Sequence, residues 1–592
     1  MTVSANLRPD LKTVIELMEV AQGKRPAEAY IAGGQVLNVY SGEVLSQNIA
    51  IHRGRIAYVG VQETMVGPHT RVIDASGFYL TPGYVNAHEH GDVLSTPSVL
   101  AQEMLRRGTT TIFFNGRQVP FLLGYQEYGR LIDEMTGLPV KLLWGIETGM
   151  GIHGLPSGGM ADEGAVRGLL ARDRIFGLHE VVRWTDVIAG DPVLLQTIAI
   201  TRLHNKRVEG HTAGASYDKL NAVVAGGVHS CHESISLQEV LNRLRLGLFV
   251  MLRCSSIRPD DLPDMLRAIT EIGVNTSRLA LVPDGLVPAD VLEKGNMDYL
   301  VAMALAAGVD SMTAYRMATL NPATYFGLDG EVGGIAPRRW ADILFLRELT
   351  EPTPIRVMCN GEIVAEEGRL LVEFPKPQYY DLFPNKLAES DTPPHLEPAI
   401  FRVPIRDEPT FPVIEMVSSV INRRLDLALP SRDGFLSADP GAGILYLAFV
   451  ALGAGKITRG FLKGFGAEIG GLAGTAGGSN NLIVLGHDPA QMALAANRVI
   501  QLRGGIVVVD GGSVKFEMPL PVGGVMSPES LPLVAQKTHE LARLLKGMGF
   551  PFGELHYTLG TLIWYFLPQL RLTPDGILDV RTGQIVVPSS PL

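Results

Sequence analysis

The sequence predicts an α/β protein in which a (β/α)8 TIM-like barrel is inserted in a small composite β-sandwich domain and followed by a C-terminal α/β domain. Three observations carry this. Short apolar strands alternate with helical segments over roughly residues 81–335. Apolar runs cut by glycine turns, the texture of antiparallel hairpins, flank that region on both sides. The α/β pattern then resumes beyond a Pro-rich stretch, Phe374 to Pro412, which reads as a linker or a surface wrap. The expected boundaries are 1–80 for an N-terminal helix and the first part of the sandwich, 81–335 for the barrel, 336–385 for the second part of the sandwich, and 386–592 for the C-terminal domain.

In order along the chain, a helical lead covers Leu11 to Ala21, and hairpin strands fall at Asn48 to Ile51 and Arg55 to Val59. Barrel strands are expected at Thr110 to Phe114, Lys141 to Gly145, Ile175 to Leu178, Arg207 to Glu209, Gly227 to Ser230, Leu248 to Leu252 and Leu279 to Val282. Hairpin texture returns at Ala341 to Leu346, Arg356 to Cys359 and Glu362 to Val364. The last domain is marked by a strand Leu482 to Leu485, a helix Pro489 to Leu502 and a strand Gly505 to Val509.

A chain of 592 residues is too long for one core, which agrees with several domains. Apolar residues at 46% against 19% charged exclude disorder as the dominant state. With 51 basic and 61 acidic side chains the net charge is −10, which argues against a nucleic-acid or anionic-membrane partner. The uncharged stretch Gly441 to Gly455 is too short to cross a bilayer and reads as buried core. The N-terminal MTVSANLRPD has no apolar signal-peptide core. Three scattered cysteines, Cys231, Cys254 and Cys359, fit a cytoplasmic protein, and the first two read as small core residues. The glycine-rich run Gly453 to Gly478 lacks the Lys-Ser/Thr ending of a phosphate loop.

The sharpest local signal is Pro82-Gly83-Tyr84-Val85-Asn86-Ala87-His88-Glu89-His90, a strand ending in two histidines two residues apart. Alternation along a strand puts both imidazoles on one face, where both can reach one metal ion. By itself the pair is weak. Its weight comes from Glu180, His211, His232 and Asp284, each at the end of a later strand, in a fold that gathers strand ends at one mouth. Nitrogen and carboxylate ligands without thiolate suit a pair of divalent ions such as Mn, Fe or Zn. His179 competes with Glu180 for its role, and His229 reads as structural.

These motifs resemble the amidohydrolase superfamily and, within it, the adenine deaminases. The resemblance spans nearly the whole chain and includes PGYVNAHEH, GHTAGASYDKLNAVVAGGVHSCHESISLQEVLNRLRLGLFVMLR, ALAANRVIQLRGGIVVVDGG and MPLPVGGVMS. It implies a binuclear metal-dependent hydrolase of a C–N bond, turning adenine or a related aminated heterocycle and water into hypoxanthine, or its counterpart, and ammonia. It also implies that His88 and His90 bind the more buried metal, that Glu180 bridges the two, and that His211 and His232 bind the second. Asp284 then binds the first metal and shuttles the proton, with Glu180 the other catalytic carboxylate. A small-molecule substrate and a homo-oligomer, a dimer or larger, are implied as well.

The surrounding motifs depart from the family. Asn115-Gly116-Arg117-Gln118 stands where adenine deaminases have Asp-Pro-His-Glu, Gly91 to Leu94 stands for Ile-Glu-Ser-Ser, and Gly477-Gly478-Ser479-Asn480-Asn481 stands for His-Asp-Ser-His-Asn. Met251 to Ser256 keeps the family's arginine, Arg253, and loses its glutamate. Arg117, Glu233, Arg253 and Asn481 are therefore the candidates for substrate binding, although each also suits an ion pair, a helix start or a turn. Retained ligands with a changed polar shell raise two rivals to adenine deamination. One is hydrolysis of a cyclic or linear amide in a non-purine substrate, and the other is a non-catalytic relative kept for binding.

Overall fold

A computed structural model describes residues 7–116, 119–147, 162–383, 394–466, 468–476 and 481–592. Eight parallel strands form the barrel: β1 (Tyr84–Glu89), β2 (Thr109–Phe114), β3 (Lys141–Ile146), β4 (Ile175–Val181), β5 (Arg207–Gly210), β6 (Ser230–Cys231), β7 (Phe249–Arg253) and β8 (Leu279–Val282). β1 to β5 pair in sequence order and β6 to β8 likewise. Two backbone hydrogen bonds tie the halves: His229 N to Val208 O (2.9 Å) and Asp284 N to His88 O (3.4 Å). The strands are buried along nearly their whole length, as continuous apolar runs in a parallel sheet require.

The sixth strand is shorter than expected and begins at Ser230. The His229 side chain explains this, because its Nδ1 accepts the Val208 N–H (3.2 Å) that a ladder carbonyl would otherwise take. Burial, with Arg207 and Arg202 nearby, lowers the pKa of His229 to about 4, so its ring stays a neutral acceptor.

The flanking segments join in one nine-stranded sheet. Tyr79–Pro82, just before the barrel, pairs antiparallel with Ile343–Leu346, just after it, in the register Ile343 to Pro82 and Leu346 to Tyr79. The barrel is thus an insertion between adjacent strands of one sheet. The N-terminal helix runs Leu11–Ala21 and is capped by Asp10, whose side chain accepts from Thr13 N.

Beyond residue 394 a second nine-stranded sheet packs against the helix Pro489–Gln501. Its central strand, Ile444–Ala451, is buried at all eight positions. This unit sits on the C-terminal face of the barrel. Leu94–Ser95, in the loop after β1, pairs in parallel with Met526–Ser527, while Val93, Val287 and Ala289 of the barrel loops enter the C-terminal core. Tyr379, at the start of the Pro-rich stretch, donates a hydrogen bond to Ser98 Oγ (2.8 Å) and so rests on the barrel, whereas Leu396, Phe401 and Val403 further along pack into the C-terminal core. Among the described residues no helix is long and apolar enough to cross a membrane.

Candidate active site and metal centre

Six predicted side chains converge at the C-terminal ends of the barrel strands, where β/α barrels place their chemistry. His88 lies next to the end of β1 and His90 follows the strand, Glu180 lies near the end of β4, and His211 follows β5. His232 follows β6 and Asp284 follows β8. Strand pairing shifts register between Asn86 and Glu89 on β1 and between Leu178 and Val181 on β4. Such irregularities re-aim side chains, and here they fall at His88 and at Glu180. Just before the second one, Gly177 lets β4 and β5 approach closely: at φ +149°, a Cβ there would meet Arg207 O at 1.9 Å.

Asp284 Oδ1 stands 3.2 Å from both His88 Nε2 and His90 Nε2. Glu180 faces two ways, with Oε1 3.5 Å from His90 Nε2 and Oε2 2.7 Å from His211 Nδ1 and 3.1 Å from His232 Nε2. Three groups have ligand atoms within 4.8 Å of one another: His88–His90–Glu180, His88–His232–Asp284 and Glu180–His211–His232. All are buried.

The donor atoms fit a metal on two counts. His88 Nε2 and His90 Nε2 are buried and have no hydrogen-bond partner, an arrangement that is costly unless a cation takes the lone pairs. Their other ring nitrogens are engaged. His90 Nδ1 donates to Asn115 O (2.6 Å), and His88 Nδ1 lies 3.2 Å from Glu209 Oε2 and 2.9 Å from Asn115 Nδ2. Carbonyl and carboxylate acceptors at Nδ1 fix the tautomer that leaves Nε2 free to ligate.

Electrostatics agree with the geometry. Burial alone would depress the His88 pKa, but Asp284 and Glu209 raise it to about 10, so without a metal the ring holds a second proton at neutral pH, the proton a cation at Nε2 would displace. Burial lowers His232 to about 4 and keeps it neutral. Against its burial, His232, His88 and His90 hold Asp284 well below the ordinary carboxylate range. Asp284 also occupies left-handed backbone (φ 51), a strained conformation of the kind that collects at functional sites. The next residue, Gly285, is clamped from above, its carbonyl accepting from Tyr557 OH (3.3 Å) of the C-terminal domain.

Of the four expected substrate-side residues, two join the cluster. Glu233 Oε1 is 3.8 Å from both His211 and His232, and Arg253 lies between Glu233 Oε2 (3.3 Å) and Asp284 Oδ2 (3.6 Å). Burial would raise the Glu233 pKa, but Arg253 above all holds it at about 2. Asn481 opens the strand Asn481–Gly486 of the C-terminal sheet. Arg117, Gln118 and Gly477 to Asn480 lie outside the described residues.

Sequence reasoning did not single out Glu209, and it met Asn115 only as a departure from the family. Glu209 precedes His211 by two residues, so period-two alternation was a signal for it. Phe566, whose ring lies 5.3 Å from that of His211, comes from the C-terminal domain and had no such signal.

Residues 173–364 match the amidohydrolase family and residues 419–584 the adenine deaminase C-terminal domain. The adenine deaminase of Moorella thermoacetica is 36% identical over 597 residues, covering 98% of both chains. That of Kosmotoga olearia is 30% identical over 579 residues, covering 97% of this chain and 98% of its own. Among solved structures, molinate hydrolase is similar at 18% identity and TM-score 0.44, over 57% of this chain and 95% of that one. A zinc-bound adenosine deaminase from Xanthomonas campestris is similar at 15% identity and TM-score 0.45, over 59% and 95%.

The class is thus a divalent-metal hydrolase of carbon–nitrogen bonds, built on a barrel whose mouth gathers imidazoles and carboxylates. Within that class, the chain belongs to the adenine deaminase family.

Proposed function

We propose that this chain deaminates adenine or a closely related aminated heterocycle, with two divalent ions in the barrel mouth. The observation that carries this is Glu180, whose two oxygens face different histidines and so suit a carboxylate bridging two ions. His88, His90 and Asp284 would hold one ion, and His211 and His232 the other. A nitrogen and oxygen donor set without thiolate suits Mn, Fe or Zn. Ions held there lower the pKa of a bound water and so supply a nucleophile at neutral pH.

The protein's own groups do the rest. Asp284, ionised at neutral pH, takes the proton of the attacking water and delivers it to the departing nitrogen. Arg253 anchors the far oxygen of Asp284, which leaves Oδ1 turned to the histidines. Glu233, kept anionic by Arg253, is an acceptor for a ring N–H. Asn115, at the family's Asp position, contacts His88 and His90 and so holds ligands. Three free, buried cysteines suit a reducing compartment such as the cytoplasm, and the family resemblance alone carries the expectation of a homo-oligomer.

The test is turnover together with metal content. Purified protein is expected to carry two equivalents of divalent metal and to convert adenine to hypoxanthine with stoichiometric ammonia. Turnover of a cyclic amide but not of adenine would transfer the site to amide hydrolysis. Tightly bound metal with no turnover of any amine or amide would support a binding role.

A further inference from the structure

Beside the metal cluster, between the barrel mouth and the C-terminal domain, lies a cavity of about 280 Å³. His211 and Glu233 line it on the barrel side, Phe566 and Trp184 supply aromatic walls, and Arg258 and Arg571 also line it. Its charges do not cancel. Glu233 is matched by Arg253 (3.3 Å), and Glu239 approaches Arg243 (3.4 Å). Arg258 comes only within 3.7 Å of Asp261. Arg571 is 1% exposed, and its hydrogen bonds go to two backbone carbonyls, Trp564 O (3.1 Å) and Leu570 O (2.8 Å). Among the described residues no carboxylate pairs with it.

A guanidinium that is buried without a counter-ion is expensive, and proteins seldom keep one unless something anionic comes to meet it. Burial alone pushes its pKa down to about 9, with no acidic group opposing the shift. It remains a cation at neutral pH. Its planar fork suits a carboxylate or phosphate. Asn422 packs beside it, donating to the same Leu570 carbonyl (3.0 Å), and its own Oδ1 is buried without a partner.

We propose that this cavity receives an anionic arm, a carboxylate or a phosphate-type group, carried by the substrate on the ring that reacts at the metals, and that Arg571 binds that arm. The inference rests on the deaminase reading above and narrows it: the preferred substrate is an aminated heterocycle with a negatively charged substituent. Aromatic walls next to His211 take the ring, and the unmatched cation takes the substituent.

Equilibrium binding tests it without relying on turnover. The metal-loaded protein is titrated calorimetrically with adenines bearing a carboxymethyl group at ring position 2, 8 or 9, and with the matching carboxamides. A second set carries phosphonomethyl groups. The expected result is that at one position an anion binds at least tenfold tighter than its neutral counterpart, the two sets telling carboxylate from phosphate. In Arg571→Met that ratio should fall to within twofold. Should R571M not fold, R571K takes its place and should lose most of the ratio, since one ammonium cannot hold both carbonyls and an anion in the same geometry. Ratios within twofold at every position in the wild type, or a ratio that survives in the variant, would overturn the proposal. Adenine turnover is scored separately, so failure of the deaminase reading appears as no hypoxanthine whatever the binding ratios are.

Discussion

At the base of the barrel, where β3 begins, the Lys141 ammonium is hydrogen-bonded to both oxygens of Asp342 (2.8 Å each) and to Asn360 Oδ1 (2.6 Å). Arg55 beside it pairs with Glu331 (2.7 Å), and both cations lie over the Trp340 ring, at 4.8 and 4.1 Å from its centre. At the mouth, 88 to 284, the buried charges are as dense but unfinished, with His88 Nε2 and His90 Nε2 pointing at carboxylate oxygens and lacking hydrogen bonds. Both ends bury ions, and only one closes its donor and acceptor count. A complete count marks an ionic cluster that holds elements together: here the nine-stranded sheet is fastened to the barrel that interrupts it. An incomplete one marks a site that expects a ligand.

The largest effect separating the two ends should come from Asp284→Asn. It removes the proposed proton carrier and one candidate metal ligand, so kcat on adenine is expected to fall about 10²–10⁴-fold with the melting temperature little changed. Equal losses of activity and stability would mean that the mouth is structural after all. The mirror experiment is Lys141→Met, which strands Asp342 in the interior. Denaturant melts should show about 3–5 kcal/mol lost, with turnover per folded molecule intact. The double replacement K141M/D342L is expected to recover most of that loss, since a paired ion cluster often exchanges for apolar packing at little cost.

The contrast also tells which parts of the site could be read beforehand. His88, His90, Glu180, His211, His232 and Asp284 stood out because period-two alternation and strand ends are local features, and a barrel brings successive strand ends to one face. Glu209 obeyed the same alternation but carries its charge behind His88, and no local pattern separates a residue behind a ligand from a ligand. Asn115 was visible only as a change of residue type, and its use became clear from its carbonyl on His90 Nδ1. Arg571, Phe566 and Tyr557 were illegible. They reach the mouth because a separate domain is docked there through contacts such as Leu94–Ser95 with Met526–Ser527, and docking depends on shape rather than on sequence period.

Between the extremes stands the support behind the mouth. Glu209→Gln keeps the shape at His88 Nδ1 and removes the charge that orients the ring. Metal affinity, read by competition with a chelator, is expected to fall about 10–100-fold, the range typical when a ligand's orienting partner is lost. Unchanged affinity would mean that Asn115 alone positions His88.

The smallest effect concerns the helix that closes over the mouth. Glu554 caps Leu555–Thr561, accepting from His556 N (2.8 Å) and Tyr557 N (2.6 Å), and Tyr557 in turn rests on Gly285 beside Asp284. Burial of this half-buried carboxyl outweighs those two donors and raises its pKa to about 7 from the ordinary 4.5. Between those two pH values the folded chain holds a proton that the unfolded chain has released, so stability from this group is complete below pH 4.5, drains away as pH rises, and is gone above 7. Because the group keeps some contact with water, the loss should be about 1 kcal/mol, less than the full shift would imply. Other carboxylates, Asp284 first among them, drive stability the opposite way, so the quantity to measure is the difference between wild type and Glu554→Gln. That difference should be near zero at pH 4.5 and favour the variant by about 1 kcal/mol at pH 8. A flat difference would mean that the cap holds its carboxylate as comfortably as the base of the barrel holds Asp342, and that unfinished electrostatics are confined to the metal cluster itself.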